Sequence, residues 1–180
     1  MLNQVNPLIP DICPHCDGVR KFSSFHTPNC PARREVYYPT QIYPGLWVGS
    51  VETRRDPRFT AVVSILTEGE MSYFRQVEMP KCRMYHVDHA DRSAGLIAKL
   101  TDAYKFVDEA RAEDNNYNVL FHCGAGASRS TSALIGYAIT RGLDNLSDAF
   151  ENMIAKRPLA MNMWDGFAEE LRKVSEGLPK

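Results

Sequence analysis

No stretch of this 180-residue chain approaches the roughly 20 consecutive apolar residues that a helix needs to cross a bilayer, so no spanning helix is expected. Met1 to Pro10 lacks the basic-then-apolar pattern of a secretion signal. Neither sign of charge dominates. The 21 Lys and Arg against 22 Asp and Glu leave a formal net charge of −1, which gives no global reason to bind nucleic acid or a membrane. Cysteine is scarce and odd in number, five residues, which argues against a disulfide framework. Internal repeats and low-complexity tracts are absent. What remains is ordinary for a soluble fold, 44% hydrophobic and 24% charged, in a chain suited to one domain with a real core plus some extra.

The chain divides near residues 31 to 36, giving an N-terminal arm (1–35) and a larger domain (36–180). The arm holds three of the five cysteines and no sustained periodicity. Beyond it, strand and helix signals alternate, the mark of an α/β fold. Gln41 to Ser50 reads as two short strands around a Pro-Gly turn. Ala61 to Leu66 is a buried strand and Cys82 to Val87 another. Leu96 to Arg111 is amphipathic, with Leu96, Leu100, Ala103, Phe106, Val107 and Ala110 on one stripe. Asn118 to His122 is the central strand. Ser130 to Thr140 is apolar on nearly every face and predicts a buried helix closed by Gly142. Asn145–Lys156 and Met163–Val174 complete a helical C-terminal half.

The most informative segment is His122-Cys123-Gly124-Ala125-Gly126-Ala127-Ser128-Arg129-Ser130, between the central strand and the buried helix. Only small residues separate Cys123 from Arg129. Such a loop can curl into a cup whose backbone N–H groups cradle a tetrahedral anion, reinforced by the partial positive charge of the following helix. Gly124 and Gly126 supply backbone freedom, and Ala125, Ala127 and Ser128 complete the anion-binding set. Arg129 can grip two oxygens of the anion with its planar fork. Cys123 in this field is expected to ionise readily and act as a thiolate nucleophile, which implies a reducing compartment, the cytoplasm or the nucleus. The bland alternative is a buried cysteine before a glycine-rich turn.

This segment resembles the His-Cys-x5-Arg-Ser/Thr signature of cysteine-dependent protein phosphatases, and its Ser-Arg-Ser ending most resembles the dual-specificity branch. Pro44 to Ser50 is similar to that family's early Leu-Tyr-Leu-Gly-Ser strand. Arg157-Pro158 with Gly166-Phe167 is similar to its closing segment, except that Trp164 stands where the family usually has Asn. The resemblance runs from about Tyr37 to Val174. It implies a central, mostly parallel sheet of four to five strands flanked by helices, the cysteine-phosphatase fold. It implies a general acid after the strand preceding the long helix, where Asp88 and Asp91 compete. The family's spacing from Val87 lands on Asp91, and Asp88 nearer the strand end has less freedom to swing. By the same resemblance, His122 orients the loop and supports the thiolate. Ser130 can donate its hydroxyl to the sulfur when Cys123 leaves. His86 and His89 read as structural or surface histidines. Cys82 reads as a small core residue, with a protective disulfide to Cys123 as the alternative.

Cys13, Cys16, His26 and Cys30 form Cys-x2-Cys-x9-His-x3-Cys, a spacing near that of zinc knuckles. His15 could replace His26, and the competing reading is an arm with unrelated cysteines. A zinc here would be structural, and catalysis needs no cofactor. The expected function is hydrolysis of phosphotyrosine, with phosphoserine and phosphothreonine as further substrates, through a phosphocysteine intermediate in a monomeric enzyme acting on phosphoproteins. Alternatives keep the chemistry on RNA 5′-phosphates or phosphoinositides, or make the domain a non-catalytic phosphoprotein-binding module. The loop holds only Gly, Ala and Ser between Cys123 and Arg129, which counts against RNA and lipid. The arm, with Arg20, Lys21, Arg33 and Arg34 around its cysteines, leaves nucleic acid open as a secondary partner.

Overall fold

The runs AVVSIL and VLFHC are buried at every position, and strands buried on both faces belong in the middle of a helix-covered parallel sheet. A computed structural model describes residues 38–75 and 82–178 and places them there. The elements in chain order are β1 (Thr40–Tyr43), β2 (Leu46–Ser50), β3 (Ala61–Leu66), α1 (Glu68–Arg75), β4 (Arg83–Asp88), α2 (Thr101–Glu113), β5 (Val119–Cys123), α3 (Arg129–Thr140), α4 (Leu146–Lys156) and α5 (Asp165–Glu176). Single 3₁₀ turns at Val51–Arg55, Ile97–Leu100 and Pro158–Asn162 join some of them. The five strands run β1-β2-β5-β3-β4, with β1 antiparallel to β2 and every other pairing parallel.

The expected sheet of four to five mostly parallel strands is therefore present, with β5 at its centre. The expected second strand in the pair after Ala61 is shifted by one residue, from Cys82–Val87 to Arg83–Asp88. The helix expected over Leu96–Arg111 begins as a 3₁₀ turn and becomes α-helical at Thr101. Its apolar stripe is buried as read, except that Phe106 is half-buried beside Tyr85. The C-terminal helix starts at Asp165, two residues later than Met163. One helix, α1, was not anticipated. It opens with a reciprocal cap in which Glu70 N donates to Thr67 Oγ1 at 3.1 Å and Thr67 N donates to Glu70 Oε2 at 2.7 Å.

Helix α3 is buried from Arg129 through Ile139 because it lies on β5 and against α4 and α5. Arg83 pairs with Ala61 and Ala61 with Val119, so Cys82 lies at the opposite end of the sheet from Cys123. Five residue steps at about 3.3 Å each separate their backbones by roughly 16 Å along the strands. A disulfide needs Cα atoms within about 7 Å. The protective disulfide is thereby ruled out for this fold, and both thiols are free.

Gly136 in α3 faces Tyr104, whose hydroxyl donates to the Ala133 carbonyl at 3.0 Å. A Cβ at 136 would overlap that hydroxyl. Gly136→Ala should therefore lower stability by about 1–3 kcal/mol through overpacking, reversing the usual gain of alanine over glycine in a helix. Chemical denaturation checks this, and Tyr104→Phe in the same chain should recover part of the loss. A stabilised Gly136→Ala protein would contradict the packing described.

Candidate active site

β5 ends at Cys123 and α3 begins at Arg129, so residues 124–128 must turn the chain from strand to helix. The turn is tight at Gly126, where φ is +71°. A Cβ there would lie 2.5 Å from the Gly49 backbone and 2.6 Å from Arg157 Nη2, so only glycine fits. Gly124 is different: a Cβ would meet Arg129 Nη2 at an ordinary 3.5 Å, so sterics do not demand glycine there. Arg157, fully buried, donates from Nε to the Gly126 carbonyl at 2.7 Å and from Nη1 to Thr40 Oγ1 at 2.9 Å. It anchors the turn to β1. From the end of β2, Val51 N donates to the Gly124 carbonyl at 3.2 Å.

Cys123 Sγ lies at the floor, 3.3 Å from Ser130 Oγ. His122 and Ser130 are completely buried behind it. Burial pushes the His122 imidazole down to about 3, with the nearby positive charges of Arg54 and Arg129 adding to the effect. The ring is therefore neutral near pH 7. It lies with Nδ1 3.5 Å from the Cys123 carbonyl oxygen, and its Nε2 has no partner among the described residues.

Arg129 is the most constrained side chain of the site. Nη1 donates to Glu70 Oε2 at 2.7 Å and to the His89 carbonyl at 3.0 Å, and Nη2 donates to Glu70 Oε1 at 2.9 Å. Its Nε is buried without a partner among the described residues. Glu70 thus takes one edge of the guanidinium and leaves the edge formed by Nε–H and the second Nη2 proton for an incoming anion. Hydrogen bonding from Arg129 holds the Glu70 carboxyl down to about 2, with Thr67 N assisting. Glu70 escaped the reading of the sequence. The signal was there in Thr67-x-x-Glu70, a capping-box pattern that marks both the start of α1 and the residue that reaches back from it.

The loop after β4 supplies Asp91 and Arg92. Asp88 is exposed and its Oδ1 accepts from Glu68 N at 3.2 Å, tied to the start of α1. His89 is buried and its Nε2 donates to the Ser93 carbonyl at 2.8 Å, while His86 Nε2 donates to the Leu66 carbonyl at 2.9 Å. At the far end of the loop, Glu170 of α5 accepts from Gly95 N at 2.6 Å and from Ile97 N at 3.0 Å. Both ends of the loop are therefore pinned, with Asp91 between the pins.

These parts enclose a cavity of about 540 Å³ lined by Cys123, Arg129, Asp91 and Arg92, by Ala125, Ala127 and Ser128 of the turn, and by Leu159, Asn162, Met163, Trp164 and Asp165 of the closing segment. Gly124 and Gly126 shape the turn without lining the cavity. No group of three or more His, Cys, Asp or Glu suited to a metal occurs among the described residues. Cys13, Cys16, His26 and Cys30 lie outside the described residues.

Residues 47–176 match the dual specificity phosphatase catalytic domain. The chain belongs to that family. Human protein phosphatase Slingshot homolog 3 is 26% identical over 127 residues, 67% of this chain and 18% of that protein. Rat dual specificity protein phosphatase 15 is 28% identical over 141 residues, 74% of this chain and 56% of that protein. The chain thus spans well under two thirds of the length of these relatives. Among solved structures, a human tyrosine phosphatase-like serine/threonine/tyrosine-interacting protein superposes with a TM-score of 0.65 at 22% identity, covering 77% of this chain and 95% of that one. At that identity the likeness concerns the fold.

The Arg129–Glu70 pair should be visible in acid. The Glu70 pKa is held near 2 against an ordinary 4.5, so the pair contributes fully above pH 4.5 and its contribution is lost as pH falls toward 2. The Glu70 side chain is 36% exposed, so screening limits the pair to roughly 1–2 kcal/mol. Denaturation of wild type and Glu70→Gln should differ by about that amount at pH 6, with the gap closing below pH 4.5. A gap independent of pH would contradict an ionic role.

Proposed function

We propose that this domain hydrolyses phosphotyrosine, and phosphoserine or phosphothreonine in addition, in phosphoproteins through a phosphocysteine. The single observation that carries this is the meeting of Cys123, Arg129 and Asp91 around one cavity. In the first step Cys123 Sγ, as thiolate, attacks phosphorus while the free edge of Arg129 binds two phosphoryl oxygens. The P–O ester bond breaks and Asp91, protonated, gives its proton to the departing oxygen. In the second step water attacks the phosphocysteine, Asp91 takes the water's proton, and the S–P bond breaks. Ser130 Oγ, 3.3 Å away, supports the sulfur as it leaves with the electron pair. Buried, neutral His122 holds the strand end and transfers no proton. None of these steps uses a metal, and the need to keep a thiolate nucleophile reduced supports a reducing compartment, the cytoplasm or nucleus.

Hydrolysis of an aryl phosphate by the reduced full chain tests the assignment. Cys123→Ser should abolish turnover, and Asp91→Ala should lower kcat by about 10² or more while leaving phosphopeptide binding intact. A chelator should leave the rate unchanged. Undiminished turnover in either variant overturns the corresponding role.

The arm carries a separate proposal, resting on spacing alone: Cys13, Cys16, His26 and Cys30 bind a structural zinc. Metal analysis of the full chain should find about one equivalent of zinc, lost in Cys13→Ser. Metal-free protein from zinc-supplemented expression would remove this reading.

A further inference from the structure

The cavity carries one aromatic side chain in its lining. The turn contributes small residues and the loop after β4 contributes the charged Asp91 and Arg92, whereas the closing segment contributes the apolar Leu159, Met163 and Trp164 beside the polar Asn162 and Asp165. Leu159 and Met163 are buried and Trp164 is only partly covered, so the indole presents the largest aromatic surface of the lining. Its position is held from three directions. The ring meets Phe167 edge-on, with centroids 4.9 Å apart and planes at 88°. It lies over Gly166, where a Cβ would crowd Cζ2 and Cζ3 at 2.5 Å. Its backbone N donates to Ser128 Oγ at 3.2 Å, fixing the wall to the floor of the cavity.

We propose that Trp164 is a specificity-determining residue that ranks phosphotyrosine above phosphoserine and phosphothreonine. This rests on the phosphatase reading of the same cavity. A phosphotyrosine places a ring between the phosphate at Cys123 and the peptide backbone, at the level of the walls. That ring packs on an indole already fixed in place, so little side-chain freedom is lost on binding. A phosphothreonine offers no ring and draws the peptide backbone down against the charged rim, where Trp164 gives it nothing.

The test uses the full chain and two peptides of identical flanking sequence carrying phosphotyrosine or phosphothreonine. Wild type should favour phosphotyrosine in kcat/KM by at least about tenfold. Trp164→Ala should lower kcat/KM for the phosphotyrosine peptide about tenfold and for the phosphothreonine peptide less than about twofold, with Trp164→Phe retaining most of the preference. In a Cys123→Ser background, indole fluorescence should change on adding the phosphotyrosine peptide, and that change should vanish when Trp164→Phe is added. Equal losses on the two peptides, or a wild type that prefers phosphothreonine, would overturn the inference and leave the phosphatase reading standing. Absence of Cys123-dependent turnover on either peptide would bring down that reading and this inference with it.

Discussion

A guanidinium that is 95% shielded from solvent must have its charge and its donors answered from within the protein, because Arg129 is only 5% exposed. Glu70 answers the charge and the His89 carbonyl answers one further donor. Those two partners come from the N-terminus of α1 and from the loop after β4, so one side chain at the start of α3 ties three separate parts of the chain together. The compensation is deliberately incomplete in a chemical sense: Nε has no partner among the described residues. The site keeps one edge of a positive fork in reserve, at a fixed orientation, where a tetrahedral anion would complete the set.

A second buried arginine works on the other flank. Arg157 holds the Gly126 carbonyl and reaches Thr40 at the edge of the sheet. The strand order makes this bracing sensible. β5 is the middle strand, so the turn that follows it can be gripped from the β1 side by Arg157 and from the β3–β4 side through Glu70 and His89. A parallel sheet delivers its loops to the end where the strands finish, and the central strand delivers the one with neighbours on either hand.

The strands and α3 were readable because their signals are local and strong: fully apolar runs such as Ala61–Leu66, and a helix apolar on every face. The Cys123-to-Arg129 turn was readable because small residues between two reactive ones have few other uses. Asp91 was preferred to Asp88 on the spacing that the family resemblance implies, and the two differ physically, one at the cavity and the other hydrogen-bonded to α1. What was hidden depends on contacts distant in sequence. Glu70 lies 59 positions from Arg129, and nothing local to either announces the pair. The same is true of Glu170, which steadies the loop 75 positions away at Gly95. Helix α1 was obscured by Gly69 in its first turn, although its capping pattern was in plain view. Boundary shifts of one or two residues at β4 and α5 reflect caps and 3₁₀ turns that periodicity does not resolve.

The distance between Cys82 and Cys123 has a chemical corollary. A thiolate at the floor of an open cavity is open to peroxide as well as to phosphate, and its first oxidation product with peroxide is a sulfenic acid. A second thiol can condense with it to a disulfide, or a backbone nitrogen to a sulfenamide, each with release of water. Among the described residues the other thiol is Cys82, at the far end of the sheet, where the strands hold it out of reach. Among the described residues no second thiol lies within reach to form a protective disulfide. Return to the reduced state therefore falls to a thiol arriving from outside the domain, before further oxidation makes the loss permanent.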